Sequence, residues 1–474
     1  MSYTLERAEE LRSRLSLMKS TLLTLKEDFW TIFKSVLSDE HVPPFLFPVS
    51  TFKRLENKMS SLQNKIDKLD SYRQTYASIS KLENIIDSDY EIAKKFNEVN
   101  EELTDVLNEI VKLQNVLSQR TTGLSHMNFM ELSKASQLEY GAFLKNYSAV
   151  DALSFELVRR ILGSNWISNE RYIPISLFDS NGYGINRDSL IISIPYYDVF
   201  RSRFWPAIAH EVAHIFAIKH FMGSSEIGKL MVEEIGTLME ALNYDQNKAF
   251  FQINELTSDI IATCVCPADF FKAATTFPFS GDFFRRNSEY IHMPGILPIL
   301  SRAMSHPPMD VRLVVMKQIV EKLGIVDKDK DLKDFINFVD MFLERKNLHL
   351  SNSSYTFLRR YRDLACEFAN SIWAPLKNNL DYFKEYEWDS VENALLNPDK
   401  NVLSPIQLLN LGWLKRIKVA KENRNLNFID YFEVCRSESQ LFEYIVNLMY
   451  KYYEGEIAAK VEVRDAYDIC INIS

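Results

Sequence analysis

Leu11, Leu15, Met18, Leu22, Leu25, Phe29, Ile32 and Val36 follow one another in alternating steps of four and three residues, a spacing that lines one stripe of a long helix. The same stepping returns at Leu55, Met59, Leu62, Ile66 and Leu69, and again at Phe96, Val99, Leu103, Val106, Ile110, Leu113 and Leu117. Between the first two stripes, HVPPFLFP at 41–48 sets three prolines where a helix cannot continue. The first third of the chain is therefore expected to be three or more long helices folded back as an antiparallel coiled coil, ending near TTGLSHMN at 121–128. Such stripes serve either an intramolecular bundle or an interface with a partner or a second copy, and the sequence leaves both open.

The texture changes after about residue 150. RYIPISLFDSNGYGINRDSLIISIPYYD (171–198) holds two β-like runs around a Gly-Asn turn cluster, and helical patterns such as DLKDFINFVDMFLERK return after 325. A chain of 474 residues with 46% hydrophobic and 25% charged residues, 13 glycines and 15 prolines has room for several cores and little disorder. The expected architecture is mainly α, with a helical coiled-coil domain over 1–145, a metal-site domain with a small sheet over 146–325, and a helical region over 326–474.

The net charge of −9, without a strongly basic run, argues against a nucleic-acid partner. No stretch approaches the roughly 18 apolar residues of a membrane span. MSYTLERAEELRSRL carries charges where a signal peptide needs an apolar segment, and the five cysteines form no disulfide framework. A cytoplasmic setting is expected. Cys264 and Cys266 read as buried thiols in an apolar helix rather than as a metal pair.

The chemistry is concentrated in FWPAIAHEVAHIFAIKH (204–220). His210 and His214 stand four apart, so a helix projects both imidazoles from one face, as two ligands of a single ion require. Glu211 adjoins the first ligand, within reach of a metal-activated water. A catalytic zinc needs a third protein ligand and an open position, and two residues compete for that place. His220 has the spacing of HExxHxxGxxH, but Ala217 stands where that pattern turns on glycine. A continuing helix would carry His220 roughly 15 Å along its axis. Glu255, in FQINELTSDIIATCV, is the second candidate, with Asp259 one turn on, where it can orient a ligating imidazole. Both acids sit in an apolar helix, where carboxylates are rare unless paired or bound to metal.

HEVAH, then ELTSDIIA, then SHPPMDVRLVVM, in that order, resembles the gluzincin metallopeptidases and is most similar to the CAAX prenyl endopeptidases and their soluble bacterial relatives. The likeness is confined to the motifs within 205–315. It implies a zincin-like α+β core, one zinc ion held by His210, His214 and Glu255, Glu211 as general base, and Asp259 as the carboxylate behind a ligand. It also implies that His306 and Arg312 lie near the active site, where a donor stabilises the oxyanion; His306 is the first choice for that donor, with Tyr244 or Arg312 behind it. The alternative for this last element is a helix start with Arg312 on its surface. The chain lacks the membrane helices of the membrane-bound members, so the likeness speaks to chemistry more than to substrate.

The expected function is a soluble zinc metallopeptidase acting on a protein or peptide. A non-peptidase zinc hydrolase, a pseudoenzyme with structural zinc, and a coiled-coil scaffold are the competing readings. LIISIP at 190–195 is either an edge along which an extended substrate pairs or a buried core strand.

Overall fold

The computed structural model describes residues 2–37, 49–78, 85–128, 149–163, 174–179, 183–186, 190–195, 205–218, 226–240, 249–276, 306–327, 330–347, 352–379, 404–409 and the isolated positions 446, 448, 449 and 452. These residues are mainly helical with one small sheet. Three long helices come first: α1 (Ser2–Leu37), α2 (Val49–Ser78) and α3 (Ile85–Asn128). The heptad positions of α2 and α3, and those of α1 from Leu11 to Leu25, meet inside the chain; the side chains of Phe29, Ile32 and Val36 lie outside what the structure describes. Leu15, Leu55, Ile66, Leu103 and Leu113 are among the side chains that form one buried apolar cluster. The polar pairs on the rim give the directions. Arg12 with Asp67, Lys19 with Gln63 and Lys26 with Glu56 run α1 against α2 antiparallel, and Lys65 with Glu102 and Lys58 with Glu109 do the same for α2 and α3.

A short helix, α4 (149–162), precedes a three-stranded sheet of β1 (Ile175–Asp179), β2 (Gly184–Asn186) and β3 (Ile191–Pro195) in the order β1-β3-β2. β1 lies parallel to β3 with Ile175 opposite Ile191, and β2 lies antiparallel to it with Ile185 opposite Ile192. The sequence shows two runs here, and the third strand falls within the Gly-Asn cluster that reads as a turn. It is three residues long, too short for a periodic signal, and its register comes from β3. Leu190, at a left-handed φ of 49°, closes the return into β3: its N–H donates to Asn186 O at 2.8 Å, and its carbonyl accepts from Ile175 N–H at 3.1 Å.

The sheet is a middle layer, and its period of two sorts the side chains. Ile175, Leu177 and Ile191 join the core of α1–α3, whereas Phe178, Ile192 and Ile194 join the larger core on the other face. This explains why IISIP does not alternate apolar and polar residues: all five of its positions are buried. β3 is paired on both sides, so it offers no edge to a substrate. The outer edge of β1 is closed as well. The Gln119 side chain of α3 donates to Phe178 O and accepts from Phe178 N–H at 3.1 Å, and Asp151 of α4 accepts from Ser176 N–H at 2.9 Å.

The second core is built by α4, α5 (Ala207–Ala217), α6 (Glu226–Glu240), α7 (Ala249–Val265), α8 (Pro267–Thr276), α9 (Met309–Lys322), α10 (Lys330–Asn347) and α11 (Asn352–Asn379). α7 runs through its centre, with Ile253, Leu256, Ile260 and Ile261 fully buried. On α11, Tyr361 donates to Gln252 of α7, and Arg362 pairs with Asp310 of α9 at 3.1 Å. Among the described residues no helix is long and apolar enough to cross a membrane. Cys264 and Cys266 are buried free thiols, with burial raising both above the ordinary thiol range.

Candidate metal centre

α5 begins after Pro206, which occupies the N-cap position, where a missing N–H leaves no hydrogen bond unmade. Its small residues Ala209 and Ala213 are fully buried and let the helix lie close against α7. The backbone stays helical through Ala217 and Ile218, whose φ and ψ are −65° and −44°. The turn that would bring a residue at 220 back to this site does not occur at 217; His220 itself, like Tyr244, lies outside the described residues.

His210 and His214 face α7, with ring centroids 4.6 Å apart. Glu255 reaches between them: Oε2 lies 3.2 Å from His210 Nε2, and Oε1 lies 3.5 Å from His214 Nε2. Side-chain donor atoms of His210, Glu211 and His214 also lie within 4.8 Å of one another. Two carboxylates thus stand beside the imidazole pair. Glu255 makes direct contact with both Nε2 atoms, and Glu211 offers an oxygen within 4.8 Å of both histidines.

The far nitrogens are held too. His210 Nδ1 lies 3.0 Å from Asp259 Oδ1, off the line of a hydrogen bond, and His214 Nδ1 lies 2.9 Å from Ser258 Oγ. Asp259 is fully buried and is gripped from its other side by Arg312 of α9, with Nε 2.6 Å from Oδ2 and Nη2 2.7 Å from Oδ1. This is the two-pronged geometry that suits guanidinium and carboxylate. Arg312 is only 2% exposed, so it is not a surface residue of the helix that Pro308 caps. The Phe270 ring of α8 stacks on His210 at 5.9 Å. His306, just before α9, lies on the solvent side of the cluster: its side chain is 55% exposed and its Nε2 lies 3.5 Å from Glu255 Oε2.

The electrostatics follow from this packing. Burial disfavours a charged His210, but the Asp259 and Glu255 carboxylates outweigh it and raise the imidazole to about 10. Burial and the neighbouring His210 push His214 down to about 3, so it is neutral. Burial opposes ionisation of Glu255, yet His210, Arg312 and His214 hold it well below the carboxylate range. Asp259 is likewise lowered against burial, by Arg312 and His210. Glu211 moves the other way, raised chiefly by burial.

The ionised Glu255 and Asp259 carboxylates are balanced by the Arg312 guanidinium and by a second positive charge, which either a protonated His210 or a bound cation supplies. Two imidazole nitrogens and a carboxylate oxygen on a common point are a donor set that zinc accepts, and both imidazoles are anchored through Nδ1 so that Nε2 faces inward. The residues present fit a metal ion. The sequence singles out His210, Glu211, His214, Glu255, Asp259, His306 and Arg312, and all seven lie in this cluster. It does not single out Ser258, Asn254 or Phe270. Ser258 had a signal, since it stands three residues after Glu255 and so shares its helix face; Phe270, on another helix, had none.

The chain matches no protein-family model, no curated protein and no solved structure.

Proposed function

We propose that this chain is a zinc-dependent metallopeptidase that hydrolyses peptide bonds. The observation that supports it most is the convergence of His210 and His214 Nε2 on the Glu255 carboxylate, with Glu211 beside them on the same turn as His210. His210, His214 and Glu255 would hold the ion. A zinc ion there supplies Lewis-acid chemistry, polarising the scissile carbonyl and lowering the pKa of the attacking water. The motif order resembling that of the CAAX prenyl endopeptidases adds to this reading. On it, α5, α7 and the sheet form a zincin-like core, and α1–α3 an antiparallel coiled coil beside it.

Glu211 takes the proton of the attacking water and passes it to the leaving amine. Its carboxyl, raised by burial, is a stronger base than an ordinary glutamate and so suits that role. The Arg312 guanidinium is taken up by Asp259, so His306, exposed beside Glu255, stays the first choice for the donor to the developing oxyanion. A purely structural zinc has no use for a base such as Glu211. A reducing, cytoplasmic setting suits the free Cys264, Cys266 and Cys366.

The test joins metal analysis to turnover. Protein purified at neutral pH without chelator should carry one zinc per chain and cleave an unstructured protein such as casein. Glu211→Gln should keep the zinc and lose at least about 100-fold in turnover, and Glu255→Ala should lose the zinc. Wild-type protein without zinc would sink the proposal.

A further inference from the structure

The two imidazoles of the cluster are anchored by different chemistry. His210 has a buried carboxylate behind it, and that carboxylate has a guanidinium behind it in turn. Among the described residues, His214 has no charged group at Nδ1. Its Nδ1 meets Ser258 Oγ at 2.9 Å, and Ser258 is fully buried on α7. Asn254, one turn earlier on α7, is 5% exposed and lies beside the same imidazole, and its buried Oδ1 has no hydrogen-bond partner among the described residues.

A neutral imidazole carries its proton on one nitrogen only, and the partner of each nitrogen decides which. We infer that Ser258 is a positioning residue: it accepts a hydrogen bond from His214 Nδ1–H and so presents the unprotonated Nε2 to the metal. The proposal rests on the metal-centre reading above. The alternative arrangement, with the serine hydroxyl donating to Nδ1, would put the proton on Nε2 and block it as a ligand. Ligation decides between them, because the Nε2 lone pair is free for a metal only when the proton sits on Nδ1. Positions 254 and 258 are four apart on one helix face, while Glu255 and Asp259 form the adjacent pair. α7 thus carries two interleaved i, i+4 pairs. One contributes the third ligand and the support of His210, and the other supports His214.

Ser258→Ala removes a single oxygen and should leave thermal unfolding of the chelator-treated protein close to wild type. Its zinc affinity, measured by competition with a chromophoric chelator, should fall roughly tenfold, the low end of the range for lost ligand supports. Ser258→Thr, which keeps the hydroxyl, should restore most of that affinity. In metal-free protein, imidazole nitrogen NMR shifts should place the His214 proton on Nδ1 in the wild type, with Nε2–H appearing in Ser258→Ala. If wild-type protein binds zinc and Ser258→Ala binds it equally well, the positioning role is overturned and the metal centre stands. Wild-type His214 protonated on Nε2 overturns it independently of zinc. If wild-type protein binds no zinc, both readings fall together.

Discussion

Asp259 and Arg312 are buried as a pair, and each is tolerable there only because of the other. Moving one charge out of water costs several kcal/mol, and the forked contact at 2.6 and 2.7 Å offsets that cost. Asp259→Ala should therefore destabilise the chain by about 3–5 kcal/mol in urea denaturation, since it removes the forked partner of a buried guanidinium. Arg312→Met should cost a similar amount, and the double substitution less than the two single costs added together. Strict additivity would mean that the two groups do not depend on each other. The pair also shows what single residues disclose in a sequence. A histidine pair four apart and a glutamate four before an aspartate are patterns of one helix, so His210, His214, Glu255 and Asp259 could be picked out by spacing. That Arg312 turns inward onto Asp259, rather than out to solvent or toward a substrate, depends on how α9 is rotated against α7, and no spacing within either helix carries that rotation.

At the scale of elements, the heptads of α1–α3 were legible because burial in a helical bundle repeats with the helix, and each stripe has one side to hide. The sheet was less so. β1 and β3 announce themselves as apolar runs, but β2 is set by pairing with β3, and pairing partners are a matter of tertiary structure. The seal on β1 was not legible at all: Gln119 lies two residues beyond the last heptad position, Leu117, and looks like an ordinary exposed polar residue of a helix end. Its amide instead copies a neighbouring strand, donating to and accepting from Phe178. A strand edge left open invites pairing with another chain. Gln119→Ala should cost about 1–3 kcal/mol, the penalty for removing partners from buried backbone groups. It should also raise the tendency to self-associate, read by light scattering of the variant against wild type at equal concentration. A variant as stable and as monodisperse as the wild type would show that the amide is not what closes this edge.

Across the whole molecule, polar contacts tie segments far apart in the chain. Glu156 of α4 is the strongest case: its side chain is fully buried, Arg159 and Arg160 reach it at 2.7 and 2.6 Å, and Tyr452, nearly 300 positions later, donates to it at 3.2 Å. Burial alone would raise this carboxyl, but the two arginines reverse the effect and hold it below the usual glutamate value of 4.5. The consequence for stability has a definite sign. A carboxyl that ionises more readily in the folded chain than in the unfolded one stabilises the fold fully above the unfolded value, and that contribution is lost as pH falls through the folded value. The wild type should therefore exceed Glu156→Gln in unfolding free energy at pH 7, and the gap should hold down to about pH 5. It should then close as the solution is taken below pH 4.5, because the proton gives the wild type a neutral side chain like that of glutamine. Comparing the two proteins at each pH cancels the other carboxylates, including Glu255 and Asp259, which are also lowered. Urea denaturation at pH 7, 5, 4 and 3 measures the gap directly, and a gap that stays constant through that range would mean that the Arg159 and Arg160 contacts do not stabilise the ionised form.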